Sequence, residues 1–162
     1  MTTNYQIEPV KTKTTILIAQ DNLYVIELLK NILRQEPGLL LLGVASNGKE
    51  LVSWLLNHSV DIIISDISLP ILDGLHTMEI INDISKKTKF IFFTDYDDDW
   101  LIRKAIRMGA SGFISKQSNI RCVTDAIKVI MQGGAYIDEY CIAKLSIEEK
   151  ELLSLSKNTE AV

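Results

Sequence analysis

From residue 14 onward the chain alternates short, nearly continuous apolar runs with segments of helical period, and this alternation restricts the fold more than any single residue does. The runs are "TILIAQ", "LLLLGVAS", "DIIISD", "KFIFFT" and "SGFISK". Between them, Val25, Leu28, Leu29, Ile32 and Leu33 share one helical face, and Leu51, Val52, Leu55 and Leu56 share the next. Ile80, Ile81 and Ile84 mark a third helix, Leu101, Ile102, Ala105 and Ile106 a fourth, and Val123, Ala126, Ile127 and Ile130 a fifth. Strands this apolar, each followed by a helix, predict a parallel sheet covered on both faces, because right-handed crossovers put the helices there. A closed barrel takes about 250 residues. Five units over roughly half that length predict an open, five-stranded, doubly wound α/β sheet.

In such sheets ligands bind beyond the carboxyl ends of the strands, where strand order reverses. The residues at those ends are Gln20 and Asp21, Asp66, Thr94 and Lys116. Any one of them alone is a turn or cap residue. Together they put carboxylates, a hydroxyl and an ammonium on one rim. Two carboxylates within a few ångströms repel each other unless a cation lies between them, and an all-oxygen site with few protein ligands suits Mg²⁺. A lysine and a threonine opposite supply a charge and a hydroxyl for phosphoryl oxygens. Nucleophilic carboxylate, metal, ammonium and hydroxyl are the parts needed to move a phosphoryl group onto an aspartate.

The constellation resembles the receiver domain of bacterial two-component response regulators. The resemblance spans roughly residues 14–137 and rests on "ILIAQDN", "DIIISDISLPILDG", "FIFFTD" and "GASGFISK" in order, with Pro70 and Gly74 four and eight residues after Asp66. "GGAYIDEYCIAKL" (133–145) is similar to the receiver end in the NarL/FixJ subfamily. The resemblance implies a (βα)5 fold with the flavodoxin-like strand order 2-1-3-4-5. It makes Asp66 the phosphoacceptor, and Asp21 a Mg²⁺ ligand together with Asp66 and the Ser68 backbone carbonyl. Lys116 would bind phosphoryl oxygens, Thr94 would bond to one of them, and Phe113 would be the aromatic switch that follows Thr94 inward. The implied donor is a phosphohistidine on a sensor histidine kinase, the readout a repacked surface on helix 4, strand 4 and strand 5, and the partners a second copy of the chain or an output domain in transcription regulation.

Two positions depart from the family pattern. Gln20 stands where the family has the first member of an acidic pair, which removes a charge near the metal and leaves an amide oxygen to hold a metal-bound water. Asp95 follows Thr94 where a small residue is usual, and with Asp97, Asp98 and Asp99 it reads as a solvated acidic turn. These departures support an alternative: an atypical receiver, not phosphorylated, that serves as a constitutive docking or dimerisation module. A flavin carrier on the same architecture is disfavoured, because no Ser/Thr-rich phosphate loop follows the first strand.

Composition excludes other classes. A formal net charge of −4 and a sequence pI near 5.2 give no cationic surface for nucleic acid. Cys122 and Cys141 lack CxxC spacing and read as free thiols of a cytoplasmic protein. "MTTNYQIEPVKTK" has no apolar signal core, and "LLLL" at 39–42 is far too short to span a membrane. "GVASNGKE" imitates a nucleotide-binding loop but has Glu50 where Ser or Thr must hold the metal, so a helix capped near Asn47 is expected instead. "DYDDDW" imitates a calcium loop but has Trp100 for the required glycine and Ile106 for the bidentate glutamate. His58 and His76 have no nucleophile at triad spacing and read as structural.

The expected organisation is a polar tail over 1–12, a receiver over 13–137 and an extension over 138–162, with a helix opened by the Ser146/Glu149 capping box at 146–156. "LSIEEKELLSLS" is similar to the opening of the subfamily's helix-turn-helix output domain. Specific DNA binding would need the rest of that domain, so the chain reads as a receiver from a longer transcription factor or a single-domain regulator.

Overall fold

The computed structural model describes residues 12–145, 150, 151 and 154. Residues 1–11 of the polar tail expected at 1–12, and most of the helix expected at 146–156, lie outside the described residues. In chain order the elements are β1 (Thr14–Ala19), α1 (Leu23–Arg34), β2 (Leu39–Ala45), α2 (Gly48–Leu55), β3 (Ile62–Ser65) and α3 (Gly74–Ile84). They continue as β4 (Lys89–Thr94), α4 (Asp99–Arg107), β5 (Gly112–Ser115), α5 (Arg121–Met131), β6 (Tyr136–Ile137) and α6 (Glu139–Lys144).

All paired strands are parallel, in the order β2-β1-β3-β4-β5-β6. The expected five-stranded order is present, and a sixth strand extends it. After α5, Gly133 takes a φ of 92°, a left-handed conformation open to glycine, and the chain turns back to pair Tyr136 and Ile137 with Gly112 and Phe113. A two-residue strand carries no readable periodicity. Its warrant is tertiary: it satisfies the free edge of β5.

Alternate side chains of the strands feed two cores. Ile16, Ile18, Ile62, Ile64, Ile91, Phe93 and Ile114 pack against α1 and α5, through residues such as Leu29 and Ile127. Leu17, Ala19, Ile63, Phe90, Phe92 and Phe113 pack on the opposite face against α2, α3, α4 and α6. Residues 62–64 are buried on both faces because β3 is central, which is why that strand reads as unbroken isoleucine. β2 lies at an edge, so Leu40 and Leu42 of the "LLLL" run stay exposed. α6 sends Cys141 and the following Leu145 into the second core, so packing continues beyond Ile137.

Helix entries are held by short polar side chains. Asn22, Asn47, Asp73 and Asp138 each accept backbone N–H groups of the first turn, each cap contributing about 1 kcal/mol. At Asn47 the acceptance from Glu50 N, with Glu50 Oε2 returning to Ser46 N at 2.8 Å, accounts for "GVASNGKE" as a capped helix start.

Candidate functional site

Strand order reverses between β1 and β3, and the carboxyl ends of those strands carry Gln20, Asp21 and Asp66. Asp66 continues β3: its N–H donates to Ala19 O at 3.0 Å. The loop behind it is closed by Gly74 N donating to Ile67 O at 2.8 Å. Gly74 is needed for close approach, since a Cβ there would lie 2.2 Å from Asp66 O.

The Asp66 side chain is almost fully buried, with the residue 5% exposed, and its oxygens collect four donors. Oδ1 accepts from Thr94 Oγ1 at 2.7 Å and from Ser68 N at 3.1 Å. Oδ2 accepts from Lys116 Nζ at 2.5 Å and from Gln20 Nε2 at 3.2 Å. A carboxylate removed from water needs such charge-assisted bonds, and the Lys116 ammonium balances its charge. Thr94 and Lys116 arrive from adjacent strands, β4 and β5, whose ends are tied by Lys116 N donating to Thr94 O at 2.9 Å. The structure thus gathers Asp66, Thr94, Lys116 and Gln20 into direct contact, with Ser68 joining through its N–H. Asp21 stands exposed at the mouth. Phe113 is fully buried beneath the rim, its ring centroid 6.1 Å from that of Phe92.

Gln20 differs from its expected orientation. The residue is 1% exposed, and its Oε1 accepts the N–H groups of Asp21 and Asn22, each at 3.1 Å. Only the oxygen of an amide can accept two N–H groups, so the NH₂ must face Asp66. The amide oxygen expected to hold a metal-bound water is therefore engaged with the backbone, and a hydrogen-bond donor points into the site instead.

Asp21, Asp66 and the Ser68 carbonyl are oxygen donors of the class that Mg²⁺ takes, two carboxylates and a carbonyl leaving the remaining positions to water. The donor set fits the ion in kind. The Gln20 amide NH₂ lies on Asp66 Oδ2 at 3.2 Å. Among the described residues no cluster of three or more His, Cys, Asp or Glu side chains is placed to hold a metal.

The acidic loop after Thr94 corrects the sequence reading. Asp95 and Asp98 are exposed, but Asp97 is 9% exposed and accepts from Ser115 Oγ and from Lys144 Nζ. Burial would raise its carboxyl, and the bonds from Lys144 and Ser115 outweigh this and hold it below the ordinary carboxylate range. Asp138 is likewise buried, accepting from Ser115 N, Ser118 Oγ and Cys141 N, each at 2.7 Å. Periodicity and spacing give no sign of either role, because both depend on how β5 and α6 meet. His58, exposed in the segment after α2, bonds to Trp54 O, and His76, exposed on α3, bonds to Asp73.

The parallel sheet in the order β2-β1-β3-β4-β5-β6, with helices on both faces, matches the receiver fold within the α/β class. A family model described as "Response regulator receiver domain" matches residues 16–128, and the chain belongs to that family. It is 26% identical over 144 residues to the transcriptional regulatory protein DegU of Brevibacillus brevis, covering 89% of this chain and 61% of that protein. It is 27% identical over 136 residues to the response regulator UvrY of Escherichia coli, covering 84% of this chain and 62% of that one. These relatives are NarL/FixJ-type regulators, and the chain spans about three-fifths of their length. Among solved structures, a LuxR-family response regulator from Aurantimonas matches with a TM-score of 0.79 at 22% identity, over 87% of this chain and 99% of that one. The isolated receiver domain of RcsB from Salmonella enterica, solved with a beryllofluoride phosphomimetic, also gives 0.79, at 18% identity over 83% and 100% of the two chains.

Proposed function

We propose that this receiver accepts a phosphoryl group on Asp66 from a phosphohistidine of a sensor histidine kinase in the cytoplasm, and that the change is read on the α4–β5 face. The observation that carries the proposal is the donor set on Asp66: a lysine from β5 and a threonine from β4, both on one buried carboxylate at the sheet's switch point. An Asp66 carboxylate oxygen forms the new bond to phosphorus as the phosphorus–nitrogen bond to the donor imidazole breaks, giving an acyl phosphate. Lys116 is placed to offset the roughly −1.5 to −2 charge that the group adds. Thr94, already hydrogen-bonded to Oδ1, can pass its hydroxyl bond to a phosphoryl oxygen, with Phe113 as the packed group beneath it. Asp21, Asp66 and the Ser68 carbonyl would hold Mg²⁺, which when bound supplies charge neutralisation between donor and acceptor. The shifted surface would then favour a second copy of the chain or an output domain in transcription regulation.

The test is phosphate-affinity electrophoresis after incubation with acetyl phosphate and MgCl₂. Wild type should give a retarded band that Asp66→Asn lacks. An identical band in Asp66→Asn would exclude Asp66 as the acceptor. One observation favours a second reading, a docking module that needs no phosphorylation: the Gln20 NH₂ joins the Lys116 ammonium on Oδ2 and completes the carboxylate's hydrogen bonding without a metal ion. No retarded band in wild type, together with no NMR shift at Asp66 or Thr94 on adding Mg²⁺ and beryllofluoride, would support it.

A further inference from the structure

Asp97 is a buried acid that the chemistry at Asp66 does not use. It sits in the loop between β4 and α4, three residues after Thr94, and accepts from Ser115 Oγ and Lys144 Nζ. Each partner leads somewhere specific. Ser115 immediately precedes Lys116, and its Oγ also accepts from Gln117 N at 3.1 Å, so the lysine that touches Asp66 is bracketed by this network. Lys144 ends α6, with its Nζ 4.6 Å from the Tyr140 ring centroid. α6 itself is capped by Asp138 Oδ1, while Oδ2 of the same carboxylate accepts from Ser115 N. Its Cys141, together with Leu145, packs in one core with Phe113, Leu101 and Ala105.

The loop also has a direct tie to the rim. Thr94 Oγ1 donates to Asp66 Oδ1 and accepts from Tyr96 N at 3.2 Å, so the backbone beside Asp97 hangs on the same hydroxyl that reads Asp66. If Thr94 moves, Tyr96 N loses its acceptor and Asp97 must follow the loop or hold to α6. From this geometry we propose that the Asp97–Lys144 pair is a latch coupling the docking of α6 to the position of the Thr94 loop. A rearrangement at Asp66 would then loosen the helix through which the chain leaves the sheet. The coupling is carried by contiguous hydrogen bonds between two elements, and it operates whatever displaces Thr94. It therefore stands apart from phosphorylation.

Cys141 provides the reporter. It is fully buried, and burial, reinforced by the neighbouring Asp138 carboxylate, pushes its thiol well above the ordinary range, so it reacts only when α6 opens. With Cys122→Ala as background, Cys141 is the single thiol, and its labelling by Ellman's reagent reads the opening of α6. Lys144→Met should speed labelling by about tenfold or more, and Lys144→Arg should restore the slow rate. Thr94→Val, which removes both hydroxyl bonds, should speed it as well, with Thr94→Ser near wild type. The double variant Thr94→Val/Lys144→Met should label no faster than the faster single variant, because both open one latch. Labelling in low urea separates this local opening from global unfolding, since a local event exposes little surface and its rate hardly changes with denaturant. Wild-type rates in Lys144→Met, wild-type rates in Thr94→Val, or multiplying effects in the double variant would each overturn the latch.

Discussion

Gly74→Ala puts the shape of the loop behind Asp66 to the test. A Cβ at this position would lie 2.2 Å from Asp66 O and 3.0 Å from both Ile67 Cα and Phe92 Cε1. Ordinary carbon contacts begin near 3.5 Å, so the helix start and Asp66 must separate by about 1.3 Å. The obstacle is chiefly backbone, which puts the overpacking cost at the upper end of its usual range, about 3 kcal/mol. Alanine's advantage over glycine in a helix returns about 1 kcal/mol. The net loss of about 2 kcal/mol should lower Tm by about 4–8 °C for a chain of this length. Because the atom displaced is the carbonyl of Asp66, labelling by acetyl phosphate should also slow, by up to about a hundredfold for a misplacement near 1 Å. Gly38→Ala is the control: nothing lies within 4 Å of its Cβ, and its Tm should stay within about 2 °C of wild type. Thermal melts followed by circular dichroism give the comparison. A Gly74→Ala melt indistinguishable from that of Gly38→Ala would refute the reasoning.

Three further predictions rest on the buried polar groups. Gln20→Asp removes a donor from Asp66 and adds a carboxylate beside it, so in EDTA its Tm should fall below wild type, and in MgCl₂ it should recover by more than wild type gains; equal responses to Mg²⁺ would show that Gln20 does not limit the ion. Asp138→Ala strands Ser115 N and Cys141 N, both buried, at about 1–3 kcal/mol each, and urea unfolding should show a loss of about 3 kcal/mol with little change in m. Asp97 is held below its ordinary value of 3.8, so its contribution is complete above that value and disappears as pH falls through the lower, folded-state pKa. The Tm gap between wild type and Asp97→Asn should be steady from about pH 5 to 7 and close below about pH 4.

The pattern of apolar runs was enough to specify the sheet, since a strand buried on both faces has to be continuously apolar and a covering helix has to show a 3.6-residue stripe. The same logic placed Asp66, Thr94, Lys116, Gln20 and Asp21 on one rim: strand ends in a parallel sheet all face one way. Local chemistry also sufficed for the cap at Asn47, where a side chain meets a backbone N–H only three residues away. What lay beyond the sequence were contacts between residues distant in the chain whose types alone allow several arrangements. Gln20 could have offered its oxygen or its nitrogen to Asp66, and only the placement of the Asp21 and Asn22 N–H groups selects the nitrogen. Asp97 reads like its neighbours Asp95, Asp98 and Asp99, yet it alone is turned inward to meet Ser115, 18 residues on, and Lys144, 47 residues on. β6 is too short to announce itself, and the free edge of β5 calls it into being. A periodic pattern records which face is buried, and the tertiary fold decides which polar group answers which.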